Sequence, residues 1–168
     1  MNRLMPKFGV VVALSAFGFL AVMAAMWGTG IWVNTTPSFP VGLYQQTEPG
    51  INARKGDLVL ACLPREKWHR EPHWSLRCQD RAKPIIKKIV ALPNDRVEIT
   101  VEGIRVNNRT IPNSKILSTP VSTATSGIVP EGMVWLLSDY APNSYDSRYF
   151  GPIPLTAIRA VVRPLWVF

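Results

Sequence analysis

Ser38 lies between two prolines, directly after the longest apolar stretch of the chain. Pro37 and Pro40 fix their own φ angles and favour extended geometry in the residues before them, so this segment cannot continue a helix. A serine held on a stiff, extended loop is suited to act as a nucleophile if a base lies nearby. Serine is also a common turn residue in proline-rich segments, so the chemical interpretation depends on a base elsewhere in the chain.

Lys87 and Lys88 are consecutive residues in the apolar segment 84–92, which has the composition of a buried strand. Successive side chains of a strand point to opposite faces, so one of the two lysines is expected to face inward beside Ile85 and Ile89. Burial disfavours the charged amine and lowers its pKa, which would make the inward lysine a candidate general base. The alternative is that its stem lies along the apolar surface and its ammonium group reaches solvent.

The chain has two cysteines, Cys62 and Cys78, with two histidines between them in the sequence. If the domain lies outside the cytoplasm, the cysteines are natural disulfide partners, and two free thiols are the alternative. A metal site is disfavoured because this spacing of mixed ligands matches no common structural zinc pattern. Nothing around His69 and His73 completes a catalytic triad, so they are not assigned to catalysis. We expect no metal and no cofactor.

The 168 residues suffice for a single domain of modest size, and the formal net charge is +8. A positive charge suits nucleic acid, a membrane surface or an acidic partner. No zinc-finger spacing, RNA-binding aromatic motif or dense Lys/Arg run is present, so nucleic acid is not an expected partner. A basic domain tethered to an anionic bilayer is the simpler interpretation.

Residues 8–33 contain no charged side chain, and this run is longer than the ~20 residues that cross a bilayer as a helix. Arg3 and Lys7 precede it, and the next basic residue is Arg54. The positive-inside rule therefore predicts a cytoplasmic N-terminus and an exported remainder. A cleavable signal peptide is the alternative, with small residues at 21–25 as its cleavage region. We predict an uncleaved anchor over residues 1–33 and a β-rich domain over 34–168.

After the anchor, short apolar or alternating segments are separated by turn signals, and no amphipathic helix is evident. The predicted strands are 58–63, 84–92, 96–101, 104–108, 133–137 and 158–168. This pattern predicts a mainly β domain with an antiparallel sheet, closed in part into a barrel or arranged as a sandwich.

Five blocks of the sequence resemble, in the same order, those of the membrane-bound Ser-Lys signal peptidases. They are Ser38-Phe39-Pro40, Gly56-Asp57-Leu58-Val59, the segment 86–95, Val129-Pro130-Glu131-Gly132 and the segment 139–151. The short chain and the segment 34–44 are most similar to the TraF-type peptidases of conjugative transfer. The blocks span nearly the whole chain, which makes the resemblance more specific than any single motif.

The resemblance implies that Ser38 is the nucleophile and that Lys87 is the base, with Lys88 in the place of the family's arginine. It also implies acyl transfer without histidine, through an acyl-enzyme on the serine. The Ser38 N–H and the Thr36 hydroxyl are expected to bind the oxyanion.

The last block of the resemblance carries the expected supporting residues. Ser144 is expected to orient the lysine amine, and Asp146 and Arg148 to form a supporting ion pair, for which a plain structural salt bridge is the alternative. The sequence departs from the family pattern at Ser138 and Asn94, where the family usually has glycine. Tyr140-Ala141-Pro142 also replaces the usual Asn-Arg-Asp.

These residues together predict a membrane-bound serine endopeptidase that cuts exported precursors after small residues. The resemblance implies a conjugative pilin precursor as the partner, type IV secretion as the setting, and a place in the bacterial inner membrane with the catalytic domain in the periplasm. The alternatives are a general small signal peptidase, a non-catalytic pilus-assembly protein, and a periplasmic binding domain released by cleavage.

Overall fold

The computed structural model describes residues 5–67, 78, 83–118 and 121–168. His69 and His73 fall outside these ranges. The described chain consists of one long N-terminal helix followed by a domain of short strands.

Helix α1, Met5–Gly28, covers most of the uncharged N-terminal run. Its described large apolar side chains, from Phe8 to Val22, are exposed. Within the described part of the chain, no helix was found with both the length and the apolar character that crossing a membrane requires. The helix stops before Gly30, whose φ of 69° lies in the left-handed region that glycine tolerates best.

Seven strands form the larger sheet. They are β1 (Ile31–Asn34), β2 (Gly42–Pro49), β3 (Leu58–Leu63), β4 (Lys83–Ala91), β9 (Met133–Leu137), β10 (Ile153–Pro154) and β11 (Ile158–Val167). The strand order is β1-β2-β11-β3-β4-β9-β10, and every pair is antiparallel. The predicted strands β3, β4, β9 and β11 are present, whereas β1 and β2 were not predicted.

Four strands form the smaller sheet, in the order β7-β6-β5-β8. They are β5 (Arg96–Thr100), β6 (Gly103–Val106), β7 (Arg109–Thr110) and β8 (Gly127–Ile128). The predicted hairpin is β5–β6, in which Val97 pairs with Val106 and Ile99 with Ile104. The one α-helix described after the strands of this sheet is the single turn α2, Ser147–Phe150.

The antiparallel β architecture is confirmed, but the predicted partial closure into a barrel is not found among the residues that the structure describes. In the described residues, β1 and β10 remain the two ends of the larger sheet. Strand β10 has only two residues, and one of them is Pro154. Because proline has no N–H to donate, this edge is poorly suited to pair with a further strand.

Three apolar clusters hold the domain together. The first lies on one face of the larger sheet and includes Val59, Ile85, Ile89 and Leu136. The second joins the smaller sheet to β4 and β9 through Val97, Ile104 and Trp135. The third lies on the opposite face from the first and contains Phe39, Tyr44, Leu60, Ile86, Ala160 and Val162.

Candidate active site

Ser38 lies in the nucleophile loop, which we define as residues 35–41 between β1 and β2. Its side chain is half-buried. Pro37 and Pro40 have no N–H, so the loop cannot form a regular backbone ladder and its carbonyls need other donors. Side chains outside the loop supply those donors.

Asn34, at the end of β1, is the donor on the inner side of the loop. It is 5% exposed, and its Nδ2 donates to the carbonyls of Thr36, Phe39 and Pro40 at 3.0, 3.0 and 3.1 Å. Its Oδ1 accepts from the Thr36 N–H at 3.2 Å. One side chain therefore binds the loop on both sides of Ser38.

The Thr36 hydroxyl, which the sequence predicts in the oxyanion site, also contacts Asn34. It donates to Asn34 Oδ1 at 2.9 Å. Because a hydroxyl has a single proton to donate, this bond occupies the group that the oxyanion would need. The described geometry gives Thr36 a part in holding the loop.

Tyr44 completes this side of the loop from β2. Its hydroxyl donates to the Pro40 carbonyl at 2.7 Å, and the residue is 1% exposed. Burial raises the pKa of this hydroxyl, with a smaller opposing effect from its hydrogen bond with Asn34. It is therefore a protonated donor at neutral pH.

Lys87 and Lys88 point to opposite faces of β4, as the sequence predicts. Lys87 is 2% exposed and shares its face with Ile85 and Ile89. Lys88 is partly exposed and forms an ion pair with Asp139. Lys87 is therefore the inward lysine of the pair, and Lys88 is the outward one.

Two contacts join the nucleophile loop to the region of β4 and β9. Phe39, next to Ser38, packs in the same apolar cluster as Ile86 of β4, on the face of the sheet opposite to the one that Lys87 shares with Ile85 and Ile89. The second contact runs through Ser138, whose hydroxyl donates to the Ser38 carbonyl. Ser138 directly follows β9, whose Leu137 pairs with Lys88, the neighbour of Lys87 on β4.

Asp146 and Arg148 form an ion pair at 2.7 Å in which both side chains are fully buried. Asp146 also caps α2 by accepting from the Arg148 N–H. The guanidinium donates further to the carbonyls of Asn113, Lys115, Ser138 and Pro142. These bonds satisfy the charges inside the protein and fix the loop that follows β9.

Ser144 and the two cysteines complete the set of predicted residues. Ser144 is 3% exposed, and its Oγ has no hydrogen-bond partner among the described residues. Cys62, on β3, forms a disulfide with Cys78. Among the described residues, no group of three or more His, Cys, Asp or Glu is arranged to hold a metal ion.

Sequence reasoning missed two residues of this site, Asn34 and the side chain of Ser138. Asn34 precedes the Thr-Thr-Pro-Ser-Phe-Pro stretch, and asparagine commonly hydrogen-bonds the backbone of a following turn, which was an available signal. The bond from Ser138 to Ser38 joins residues 100 positions apart, and no local sequence pattern predicts it.

The whole chain matches a known family. The profile described as signal peptidase, peptidase S26, matches residues 4–166. The chain therefore belongs to the signal peptidase family, and the resemblance drawn from its sequence blocks is confirmed.

Two individual proteins and one solved structure are similar to this chain. The chain is 35% identical over 175 residues to a conjugal transfer protein TraF from Agrobacterium fabrum (strain C58 / ATCC 33970), covering 98% of this chain and 99% of the relative. It is 31% identical over 94 residues to a probable signal peptidase I-2 from Synechocystis sp. (strain PCC 6803), covering 55% of this chain and 43% of that protein. A crystal structure of a signal peptidase I from Enterococcus faecalis V583 superposes with a TM-score of 0.42 at 21% identity, over 67% of this chain and 97% of that one.

Proposed function

We propose that this chain is a membrane-anchored serine endopeptidase in which Ser38 is the nucleophile and Lys87 the general base. Its reaction is the removal of leader peptides from exported precursor proteins. The observation that supports the proposal is the burial of Lys87 on β4 beside a loop that two contacts hold. Phe39 packs with Ile86 of the same strand, and Ser138, which follows the neighbouring strand β9, donates to the Ser38 carbonyl.

The reaction proceeds by acyl transfer. The neutral Lys87 amine takes the proton from the Ser38 hydroxyl while Oγ attacks the scissile carbonyl carbon. The tetrahedral intermediate collapses to an ester on Ser38, and the lysine ammonium gives its proton to the leaving amine. Water, activated by the same amine, then hydrolyses the ester and restores the serine.

The Ser38 N–H donates a hydrogen bond to the oxyanion of the tetrahedral intermediate. In this structure the Thr36 hydroxyl donates to Asn34, and its place beside the oxyanion stays a prediction. Ser144 orients the Lys87 amine, a role supported by its buried hydroxyl with no partner among the described residues. Asp146 and Arg148 do not contact the substrate, and they act by fixing the loop between Ser138 and Ser144.

The anchor is the N-terminal segment, one observation supports it, and a second supports a domain outside the cytoplasm. Residues 8–33 are uncharged, and the described large apolar side chains of α1 are exposed. The bond between Cys62 and Cys78 is of the kind that forms and persists in oxidising compartments. The proposed place is the bacterial inner membrane, with the β domain in the periplasm.

The proposed substrate is a pilin precursor of a conjugative type IV secretion system, cut after small residues. This part rests on the similarity over nearly the full chain to a conjugal transfer protein TraF. A general signal peptidase is the second candidate, and it rests on the similarity to a probable signal peptidase I-2 over 55% of this chain.

Precursor processing in membranes distinguishes the two substrates. Membranes carrying the wild type or Ser38→Ala would be supplied with a candidate pilin precursor and with an ordinary secreted precursor, side by side. We expect only the pilin precursor to accumulate with Ser38→Ala. Accumulation of both precursors would indicate a general signal peptidase. Processing of both by Ser38→Ala would refute the peptidase and favour an assembly protein.

A further inference from the structure

We propose that Ser138 is a positioning residue for the nucleophile. Its side chain holds the peptide bond between Ser38 and Phe39, and its backbone is held by the buried pair Asp146–Arg148. The residue thus transmits the rigidity of the buried ion pair to the nucleophile loop. This inference rests on the proposed function, because it assigns Ser138 a part in the reaction of Ser38.

The hydroxyl of Ser138 uses its whole hydrogen-bonding capacity. A hydroxyl has one proton to donate and two acceptor positions. The hydroxyl donates to the Ser38 carbonyl, and its oxygen accepts from the N–H groups of Tyr140 and Ala141 at 3.2 and 3.0 Å. Because Ser138 is fully buried, water has little access to replace these bonds.

The backbone of Ser138 is fixed just as firmly. Its N–H donates to Asp146 Oδ2 at 3.0 Å, and its carbonyl accepts from Arg148 Nη2 at 3.0 Å. Both partners are charged and fully buried, which makes these bonds stronger than neutral ones. Ser138 therefore cannot shift without breaking charge-assisted bonds in the interior.

A second contact joins the same two segments one or two residues further on. The rings of Phe39 and Tyr140 stack, with centroids 6.3 Å apart and an interplanar angle of 18°. The nucleophile loop and the loop after β9 are thus connected at Ser38–Ser138 and at Phe39–Tyr140.

These contacts constrain the geometry that catalysis needs. Fixing the Ser38 carbonyl fixes the ψ angle of Ser38, and with it the direction of the adjoining chain. Ser138 directly follows Leu137, which pairs with Lys88 of β4, so the hydroxyl that holds the Ser38 carbonyl belongs to a residue fixed beside the strand that carries Lys87. Displacement of a reacting group by about 1 Å can cost about 100-fold in rate, which is the scale on which such a contact acts.

The bond from Ser138 to the Ser38 carbonyl depends on a residue at which this chain departs from the family pattern. The signal peptidase block to which this segment is similar usually has glycine where this chain has Ser138. A glycine has no side chain and can make none of the three hydroxyl bonds.

The test compares Ser138→Ala with a matched control, Ser114→Ala. Ser114 is also buried, and its hydroxyl donates to the Ile111 carbonyl at 2.6 Å and accepts from the Ile104 N–H at 2.8 Å. Both substitutions remove a buried hydroxyl. The Ser114 hydroxyl bonds Ile104 and Ile111 and makes no hydrogen bond to the nucleophile loop in the described part of the chain, while the carbonyls of its neighbours Asn113 and Lys115 accept from Arg148, so the control also reports a disturbance of the ion pair that does not pass through the Ser138 hydroxyl. The full chains would be assayed in detergent micelles on a peptide with small residues before the scissile bond.

We expect Ser138→Ala to lower kcat about 10- to 100-fold with KM little changed, because the loss is one of positioning. Ser114→Ala should lower Tm while keeping kcat within about threefold, since its hydroxyl makes no bond to the nucleophile loop among the described residues. A Ser138→Ala enzyme with wild-type kcat, or an equal loss of kcat in Ser114→Ala, would overturn the proposal.

A second measurement reports the bond itself. Ser38-Phe39 is the single Ser-Phe pair in the sequence, so labelling serine carbonyls with 13C and phenylalanine amides with 15N isolates this peptide. Ser138→Ala should move the Ser38 carbonyl signal upfield through loss of its donor, and Ser114→Ala should leave it in place. An unmoved signal in Ser138→Ala contradicts the proposal. A wild type no more active than Ser38→Ala would instead refute the proposed function, independently of this signal.

Discussion

At the scale of single residues, Asn34 determines the shape of the nucleophile loop. Its side chain binds three carbonyls and one N–H of a segment whose prolines cannot donate. An aspartate in its place would keep the acceptor but bring a carboxylate against the same carbonyls. The identity of the side chain therefore matters, as well as its size.

Asn34→Ala tests this role. Removing the amide takes the donor from the Thr36 and Phe39 carbonyls and leaves Pro40 with the Tyr44 hydroxyl alone, so we expect the unfolding free energy to fall by about 1–3 kcal/mol and kcat to fall with it. The control is Asn52→Ala, at an exposed position in a short 3₁₀ turn. Denaturant unfolding and peptide cleavage would be measured on the same samples. Wild-type stability and kcat in Asn34→Ala would contradict the assignment.

Alternation along β4 made part of the site predictable. An apolar run with two consecutive lysines places one of them inward, and Lys87 is the buried one. The partner of the Thr36 hydroxyl and the bond from Ser138 could not be predicted in this way. Both depend on the conformation of a proline-rich loop and on contacts between segments far apart in sequence.

At the scale of elements, Asp95 joins the two sheets. It follows β4, and its carboxylate accepts from the Leu92 N–H at 2.8 Å, from Lys55 Nζ at 2.9 Å and from Asn107 Nδ2 at 2.5 Å. Burial alone would raise its pKa, but these hydrogen bonds outweigh burial and hold the pKa of the carboxyl below its ordinary value of 3.8.

A lowered pKa in the folded state predicts how stability depends on pH. The contribution of Asp95 is present above pH 3.8 and is lost as the pH falls through the lower, folded value. Asp95→Asn should therefore cost about 1–2 kcal/mol at pH 7, and the difference from wild type should shrink below pH 4. Denaturant unfolding at a series of pH values measures it. A difference that stays constant from pH 7 to pH 3 would contradict the prediction.

Element boundaries were predictable where apolar periodicity is long. Strands β3, β4, β9 and the β5–β6 hairpin follow runs of apolar or alternating residues, and the structure contains them. Strands β1 and β2 lie at the border between the apolar run and the proline-rich loop. Residues 31–33 were assigned to the anchor by their composition, yet they pair with β2. Pairing between strands decides such borders, and composition does not show it.

At the scale of the whole molecule, the disulfide ties Cys62 of strand β3 to Cys78. It closes a loop with a sequence separation of 16. Removing it by the double substitution Cys62→Ala/Cys78→Ala should lower the unfolding free energy by about 3 kcal/mol, because the unfolded chain gains freedom. Urea unfolding measures the change.

Catalysis should survive this change at low temperature. Lys67, at the start of the bridged segment, is held independently, since its Nζ donates to the Phe150 carbonyl and its own carbonyl accepts from Tyr145. Unfolding free energies equal in the two proteins would contradict a stabilising bridge. The single variants Cys62→Ala and Cys78→Ala serve as controls for loss of the bond without loss of both side chains.

The central claim is that Ser38 and Lys87 perform the reaction together, and single-turnover cleavage by the purified full chain tests it most directly. Ser38→Ala and Lys87→Ala should each lower the rate about 1,000-fold or more, and combining them should cost little further, because the two act as a unit. Lys88→Ala, which removes the neighbouring lysine paired with Asp139, should stay within about tenfold of wild type. A Lys87→Ala enzyme as active as Lys88→Ala would contradict the account.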